Sequence, residues 1–217
     1  MNTSSLLKKY LAHSHVIHYV ISALGFAYLT GICTFIKIPL FWTPVPITGQ
    51  SLVVLLSGII LGKKWGPVSQ AIYVLLGIAG VPWFMGGSTH SLFYPTGGYL
   101  IGFILASFVV GYCTDPSPFV KISSFAKATE DATGDTVETK RSYWQLFGLL
   151  VFAHIFIIHA CGLIQLHIWL SCTTKTSPSF SNLLFSGCLP FIPGDVLKIA
   201  LVAKISRRLM PFRAKQM

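Results

Sequence analysis

Asp195 and Lys198 stand in an otherwise apolar stretch, Pro190-Phe191-Ile192-Pro193-Gly194-Asp195-Val196-Leu197-Lys198, where charge is expensive. Three residues apart on a helix, the acid and the amine share one face. Pro193 is a natural first helical residue, and an acid in the first turn is favoured by the helix macrodipole. At a bilayer centre each charge would cost ~2.5–3.5 kcal/mol, so both need partners. Two chemistries follow. The pair neutralises itself and is structural, or it belongs to a ligand pocket in which Lys198 receives an anionic group and Asp195 accepts N–H donors. Acid–base catalysis fits less well, because the sequence offers no second acid, no Ser–His pair in reach and no metal motif.

The other reactive side chains add little. His154 and His159 are five residues apart, so on an α-helix they do not share a face, and His90 stands alone; they read as packing histidines with no metal site. The five cysteines, at 33, 113, 161, 172 and 188, are odd in number and form no CxxC pair, which makes them apolar filler. The segment from Gly58 to Lys64 superficially matches a phosphate-binding loop, but it is one residue short and no Ser or Thr follows the lysine. An ATPase is excluded on that ground, and no cofactor is expected.

The elements that must position Asp195 and Lys198 are apolar. Of 217 residues 53% are hydrophobic and 10% charged, against roughly 25% charged in soluble domains. Uncharged stretches at 16–36, 44–62, 65–85, 94–113, 143–170 and 183–203 are each long enough to cross a ~30 Å core, predicting an all-α integral membrane protein of six transmembrane helices in one bundle. Pro44 and Pro46 delay the start of the second helix to near Thr48. The apolar run after Lys8 and Lys9 lacks a small-residue cleavage site and reads as a retained span, not a signal peptide.

With six spans, thirteen basic residues (Lys8, Lys9, Lys63, Lys64, Lys121, Lys127, Lys140, Arg141, Lys204, Arg207, Arg208, Arg213, Lys215) fall on the side of both termini and two, Lys37 and Lys175, on the other. That asymmetry predicts both termini in the cytoplasm of a plasma (inner) membrane protein. It also accounts for the net charge of +10 without nucleic acid. Five of the six acids lie in the polar segment 114–142, which has the composition of a cytoplasmic tether.

Two further segments share the outer side with the start of the last span. One is Trp42-Thr43-Pro44-Val45-Pro46-Ile47-Thr48-Gly49-Gln50, where two prolines enforce extended backbone at membrane depth, tolerated only against protein or a cavity. The other is Val81-Pro82-Trp83-Phe84-Met85-Gly86-Gly87-Ser88, continuing to Tyr94-Pro95-Thr96-Gly97-Gly98-Tyr99. Its aromatics supply stacking surface. Singly each reads as turn chemistry and an interfacial aromatic belt; together they point to a pocket.

Pro-Val-Pro-Ile-Thr-Gly-Gln at 44–50, Gly-Gly-Ser at 86–88, Pro-Thr-Gly-Gly-Tyr-Leu-Ile-Gly-Phe at 95–103 and Pro-Gly-Asp-Val-Leu-Lys at 193–198 resemble, in order and spacing, the BioY family, the biotin-specific substrate-binding (S) component of energy-coupling-factor transporters. The resemblance covers about residues 16–206. It implies a six-helix bundle that binds biotin from outside and works with a transmembrane coupling subunit and two ATPase subunits. Under it the biotin carboxylate falls to Lys198, the ureido N–H groups to Asp195 and the bicycle to Trp83, Phe84 and Tyr99, with Gly86, Gly87, Thr48 and Gln50 as secondary candidates. Ala23 and Ala27 give a small-xxx-small face resembling the family's docking motif for the coupling subunit. Tyr94 stands where the family has glycine, and the 114–142 segment is longer than the family's. A solitary biotin facilitator, an S component for another small vitamin, a membrane enzyme and a structural assembly protein are the alternatives.

Overall fold

The computed structural model describes residues 3–84, 93–114, 136–174 and 178–214, with side chains for 16–84, 93–114, 144–174 and 178–206. Helix α1 (Thr3–Cys33) leads into a short antiparallel pairing of β1 (Lys37–Ile38) with β2 (Ile47–Thr48), in the register Lys37 with Thr48 and Ile38 with Ile47. The prolines at 44 and 46 cannot continue a helical hydrogen-bond ladder, so the chain stays extended until α2 begins. Helix α2 (Gln50–Ile78) therefore starts two residues after the position expected from sequence.

Gly62, with φ 78 and ψ −172, breaks α2 into arms 50–61 and 63–78. A positive φ is open to glycine without the Cβ penalty other residues meet. Here it reverses the chain. A Cβ on Gly66 would lie 3.1 Å from the Cα of Gly58, whereas eight residues along a continuous helix span about 12 Å. Side chains of Gln50 and Tyr73 hydrogen-bond across the two arms. Pro67 is the fifth residue of the second arm, just past the first turn, so its missing N–H forgoes one bond of the helical ladder near the arm's start.

Helix α3 (Gly97–Thr114) packs on both arms, and small residues set the distance. A Cβ on Gly58 would come 2.7 Å from the carbonyl oxygen of Ser107, and one on Gly111 would come 2.6 Å from the Gly62 carbonyl carbon. The small pair Gly58 and Gly62 is thus used inside this chain. Ala23 and Ala27, expected on a docking face, are 0% and 1% exposed. Their side of α1 faces this chain's own core, and α2 is the main neighbour of α1.

Helix α4 (Thr136–Val151) runs into a π-helical segment, Phe152–Ile158, and on into α5 (His159–Thr174). Helix α6 (Phe180–Gly187) and a 3₁₀ turn (Leu189–Phe191) precede α7 (Ile192–Ala214). The expected single stretch 183–203 is thus broken at residues 188–191, where Pro190 lacks the N–H a continuous helix requires.

Among the described residues four helices are long and apolar enough to cross a membrane, in the windows Val16–Cys33, Gln50–Ile78, Gly97–Thr114 and Trp144–Thr174. Large apolar side chains such as Ile21, Leu75, Ile101, Phe156 and Ile164 are more than half exposed on their outer faces. In water such a surface would be an aggregation hazard; in lipid it is solvated.

Candidate functional site

Asp195 enters the bundle from the first turn of α7 and is 2% exposed. Its Oδ1 lies 3.0 Å from Lys198 Nζ one turn on, and 3.0 Å from His154 Nε2. Its Oδ2 lies 3.3 Å from His159 Nε2. Lys198 also donates to Ser51 Oγ of α2 at 3.3 Å. Among the described residues Oδ2 accepts no hydrogen bond, and His154 Nδ1 and Trp83 Nε1 are likewise buried without partners.

The histidines correct the sequence reading. On an α-helix, positions five apart point about 140° away from each other. The π-helical segment bonds N–H to the carbonyl five residues back, as His159 N does to His154 O, and so brings the two rings to one side. Their centroids are 5.4 Å apart. Counting intramembrane histidines together with Asp and Lys as ionisable would have flagged both. His154, His159 and Asp195 set their ligand atoms within 4.8 Å of one another, a spacing compatible with a cation. The Lys198 ammonium already supplies one there.

This cluster forms part of the wall of a cavity with about 690 Å3 of space free of protein atoms, its mouth included. Trp83, Phe84, Tyr99, Thr48, Gln50, Asp195 and Lys198, all expected from sequence, line it. Gly86 and Gly87 lie outside the described residues. The lining also includes Thr34, Ser51, Tyr73, His154, His159 and Phe191, which sequence reasoning missed. Tyr73 reaches it only because α2 folds back.

Three glycines seat the aromatic walls. A Cβ on Gly31 would overlap the Trp83 ring, one on Gly77 the Phe84 ring, and one on Gly162 the Tyr99 ring. The hydroxyl of Tyr99 donates to the Gly187 carbonyl at 2.7 Å, leaving its ring edge and face as the cavity surface. Gly98 lets α3 meet α5, since a Cβ there would overlap the Cys161 carbonyl. The Pro-Thr-Gly-Gly-Tyr motif is therefore a helix start, a close crossing and an aromatic wall in five residues. At the other side Gln50 Nε2 donates to Tyr73 Oη at 2.5 Å, with Thr34 Oγ1 at 3.5 Å from the same oxygen.

With this arrangement in place, likeness to known proteins is decisive. The family model described as BioY family matches residues 3–215. This chain belongs to the BioY family. A probable biotin transporter BioY of Methanothermobacter thermautotrophicus is 40% identical over 158 residues, covering 72% of this chain and 88% of that protein. The biotin transporter BioY of Thermotoga maritima is 35% identical over 186 residues, 85% of this chain and 90% of the relative. In fold, the chain is similar to the S-component for biotin from an ECF-type ABC transporter, with TM-score 0.68, 23% identity, and coverage of 91% of this chain and 93% of that one. Membership in this transporter family, together with its apolar helices, makes the protein an integral membrane protein and not an enzyme.

Proposed function

We propose that the chain is the biotin-binding S component of an energy-coupling-factor transporter, taking biotin from the extracytoplasmic side of the plasma membrane and working with a coupling subunit and ATPase subunits. The observation that carries this reading is the buried carboxylate of Asp195 on the wall of an aromatic-lined cavity, where Oδ2 has His159 Nε2 at 3.3 Å and, among the described residues, no closer donor. A ligand N–H reaching into the cavity supplies that oxygen with a closer hydrogen bond. The relatives' names agree with it.

The ligand's two polar ends cannot both meet Asp195 and Lys198. These side chains touch at 3.0 Å, while the bicycle and its acid chain separate the ureido group from the carboxylate. A ureido group carries an N–H beside a C=O, matching the acceptor of Asp195 and the donor of Lys198 placed side by side. A carboxylate offers acceptors alone and would face the Asp195 oxygens with repulsion. Asp195 and Lys198 therefore take the ureido end together, which moves the carboxylate away from its first assignment to Lys198.

The topology completes the reading. Two crossings by the arms of α2 on either side of Gly62 and one by α7 would make six spans, a reading supported by the reversal at Gly62, and the thirteen-to-two basic asymmetry supports placing both termini in the cytoplasm. Detergent-purified protein incubated with labelled biotin should retain it saturably, and absence of retention by folded protein would falsify the reading. A reporter fused after Met217 or inserted within 114–142 should read cytoplasmic and one near His90 external; an external signal from 114–142 overturns the orientation.

A further inference from the structure

Once the ureido end is given to Asp195 and Lys198, the ligand's carboxylate has no assigned partner, and the cavity holds polar groups that the ureido contact does not use. Trp83 is 6% exposed and lines the cavity, and its Nε1 has no hydrogen-bond partner among the described residues. An indole nitrogen only donates, and a buried donor without an acceptor is costly. The ring is held in place by α1 and α2. Its benzo edge rests on Gly31, where a Cβ would overlap Cε3, Cδ2 and Cζ3. Tyr28 packs edge-on with centroids 6.4 Å apart, and Tyr73 lies tilted at 5.5 Å. With its benzo edge taken up by α1, the ring has its pyrrole half, which carries Nε1, left for the cavity.

Tyr73 adds a second donor beside it. Its Oη accepts from Gln50 Nε2, and the acceptor for its own hydrogen is Thr34 Oγ1 at 3.5 Å, well beyond the usual hydroxyl–hydroxyl distance. Thr34 in turn points its hydrogen at the Thr30 carbonyl, 3.4 Å away. A closer acceptor in the cavity would draw the Tyr73 hydrogen to itself. These donors stand on a different wall from Asp195. Gln50 and Ser51 are consecutive at the start of α2, so their side chains diverge by about 100°; Ser51 meets Lys198, while Gln50 meets Tyr73. Among the described residues no hydrogen bond, ion pair or ring contact joins the two groups.

We propose that Trp83 Nε1 and the Tyr73 hydroxyl form the subsite for the ligand's carboxylate, so that Trp83 acts through its N–H and not as a stacking face for the bicycle. The inference rests on the reading that Asp195 and Lys198 take the ureido end of biotin. A carboxylate only accepts, and its two oxygens have lone pairs for both donors. Ureido N–H groups turned to this wall would set hydrogens against hydrogens. Both donors are neutral, so the subsite reads lone pairs and not charge alone. An amide keeps one acceptor and part of the contact; a methyl group in place of the carboxylate keeps none.

The test is equilibrium binding of the full chain with two ligands, biotin and the analogue in which a methyl group replaces the carboxylate. Trp83→Phe keeps an aromatic ring and removes the N–H; it should weaken biotin on the order of tenfold or more and the methyl analogue by less than about threefold. Tyr73→Phe should show the same ligand dependence. Because phenylalanine fills less space than indole, a second variant carries the benzothiophene isostere of tryptophan at position 83, with sulfur where Nε1 stands. It should reproduce the selective loss without a change of volume. Equal weakening of both ligands in the isostere variant overturns the inference and makes Trp83 a packing residue, with the biotin reading intact. Unchanged biotin affinity in that variant overturns it as well. Failure of the folded parent to bind biotin at all removes both readings.

Discussion

Two buried polar clusters lie within this bundle, and they differ in whether they are closed. Between α1, α2 and α3, Gln70 is 0% exposed and every polar atom of its amide has a partner: Nε2 donates to Ser57 Oγ and Ser69 Oγ, both at 3.1 Å, and Oε1 lies 3.3 Å from the Thr30 hydroxyl, which shares its hydrogen with the Phe26 carbonyl at 2.8 Å. Ser57 in turn lies 3.2 Å from Ser107 Oγ on α3. Around Asp195, one carboxylate oxygen is doubly engaged, while the other and His154 Nδ1 have no hydrogen-bond partner among the described residues. A polar network saturated by its own chain ties helices together, whereas one left open beside a cavity is an unfinished set of contacts that a ligand completes. Burial and polarity alone do not separate a site from a brace; the count of unused lone pairs and hydrogens does.

The comparison breaks most visibly at Asp195. Asp195→Asn removes the charge that Lys198 and His154 share, and breaking a buried pair costs of order 3–5 kcal/mol. Biotin affinity should fall by more than about a hundredfold, read by equilibrium binding on monodisperse protein. Unchanged affinity would reduce the open cluster to a structural ion pair like its closed counterpart.

Lys198→Met should cost less, about 1.5–3 kcal/mol for one charge-assisted hydrogen bond. Because the ureido end is common to both ligands, biotin and biotin amide should lose affinity equally. If the amide is spared, the carboxylate belongs at Lys198 after all and the ureido assignment fails.

In the closed cluster the expectation is the reverse. Gln70→Leu should lower thermal stability in detergent by about 1–3 kcal/mol, as its hydroxyl partners lose an amide, and leave biotin affinity within about twofold. A parallel loss of affinity would show that the brace and the site are one network. Smallest of all, deletion of 126–139 should change affinity by less than about twofold, since a polar tether contributes little to a packed site. A large loss there would mean the segment reaches the cavity.

The sequence by itself determined the membrane setting, since long uncharged runs have no other solvent, and it marked Asp195 and Lys198, since charge in such runs is too costly to be incidental. It also brought Trp83, Phe84, Tyr99, Thr48 and Gln50 to one place through proline and glycine segments on a common side. Those signals are local: residue type, spacing and the ban on proline in a helical ladder. What only the tertiary structure decided depended on distances no local rule contains. The reversal at Gly62 brought Tyr73 onto the cavity, and the glycine notches at 31, 77 and 162 fixed where the aromatic rings rest. The packing of α1 on α2 turned Ala23 and Ala27 inward. The π-helical segment rotated His159 onto the side of His154, because one extra residue per turn shifts every later side chain around the helix. Spacing rules assume the regular α-helix, so a site built on a departure from it becomes visible only once the backbone path is known.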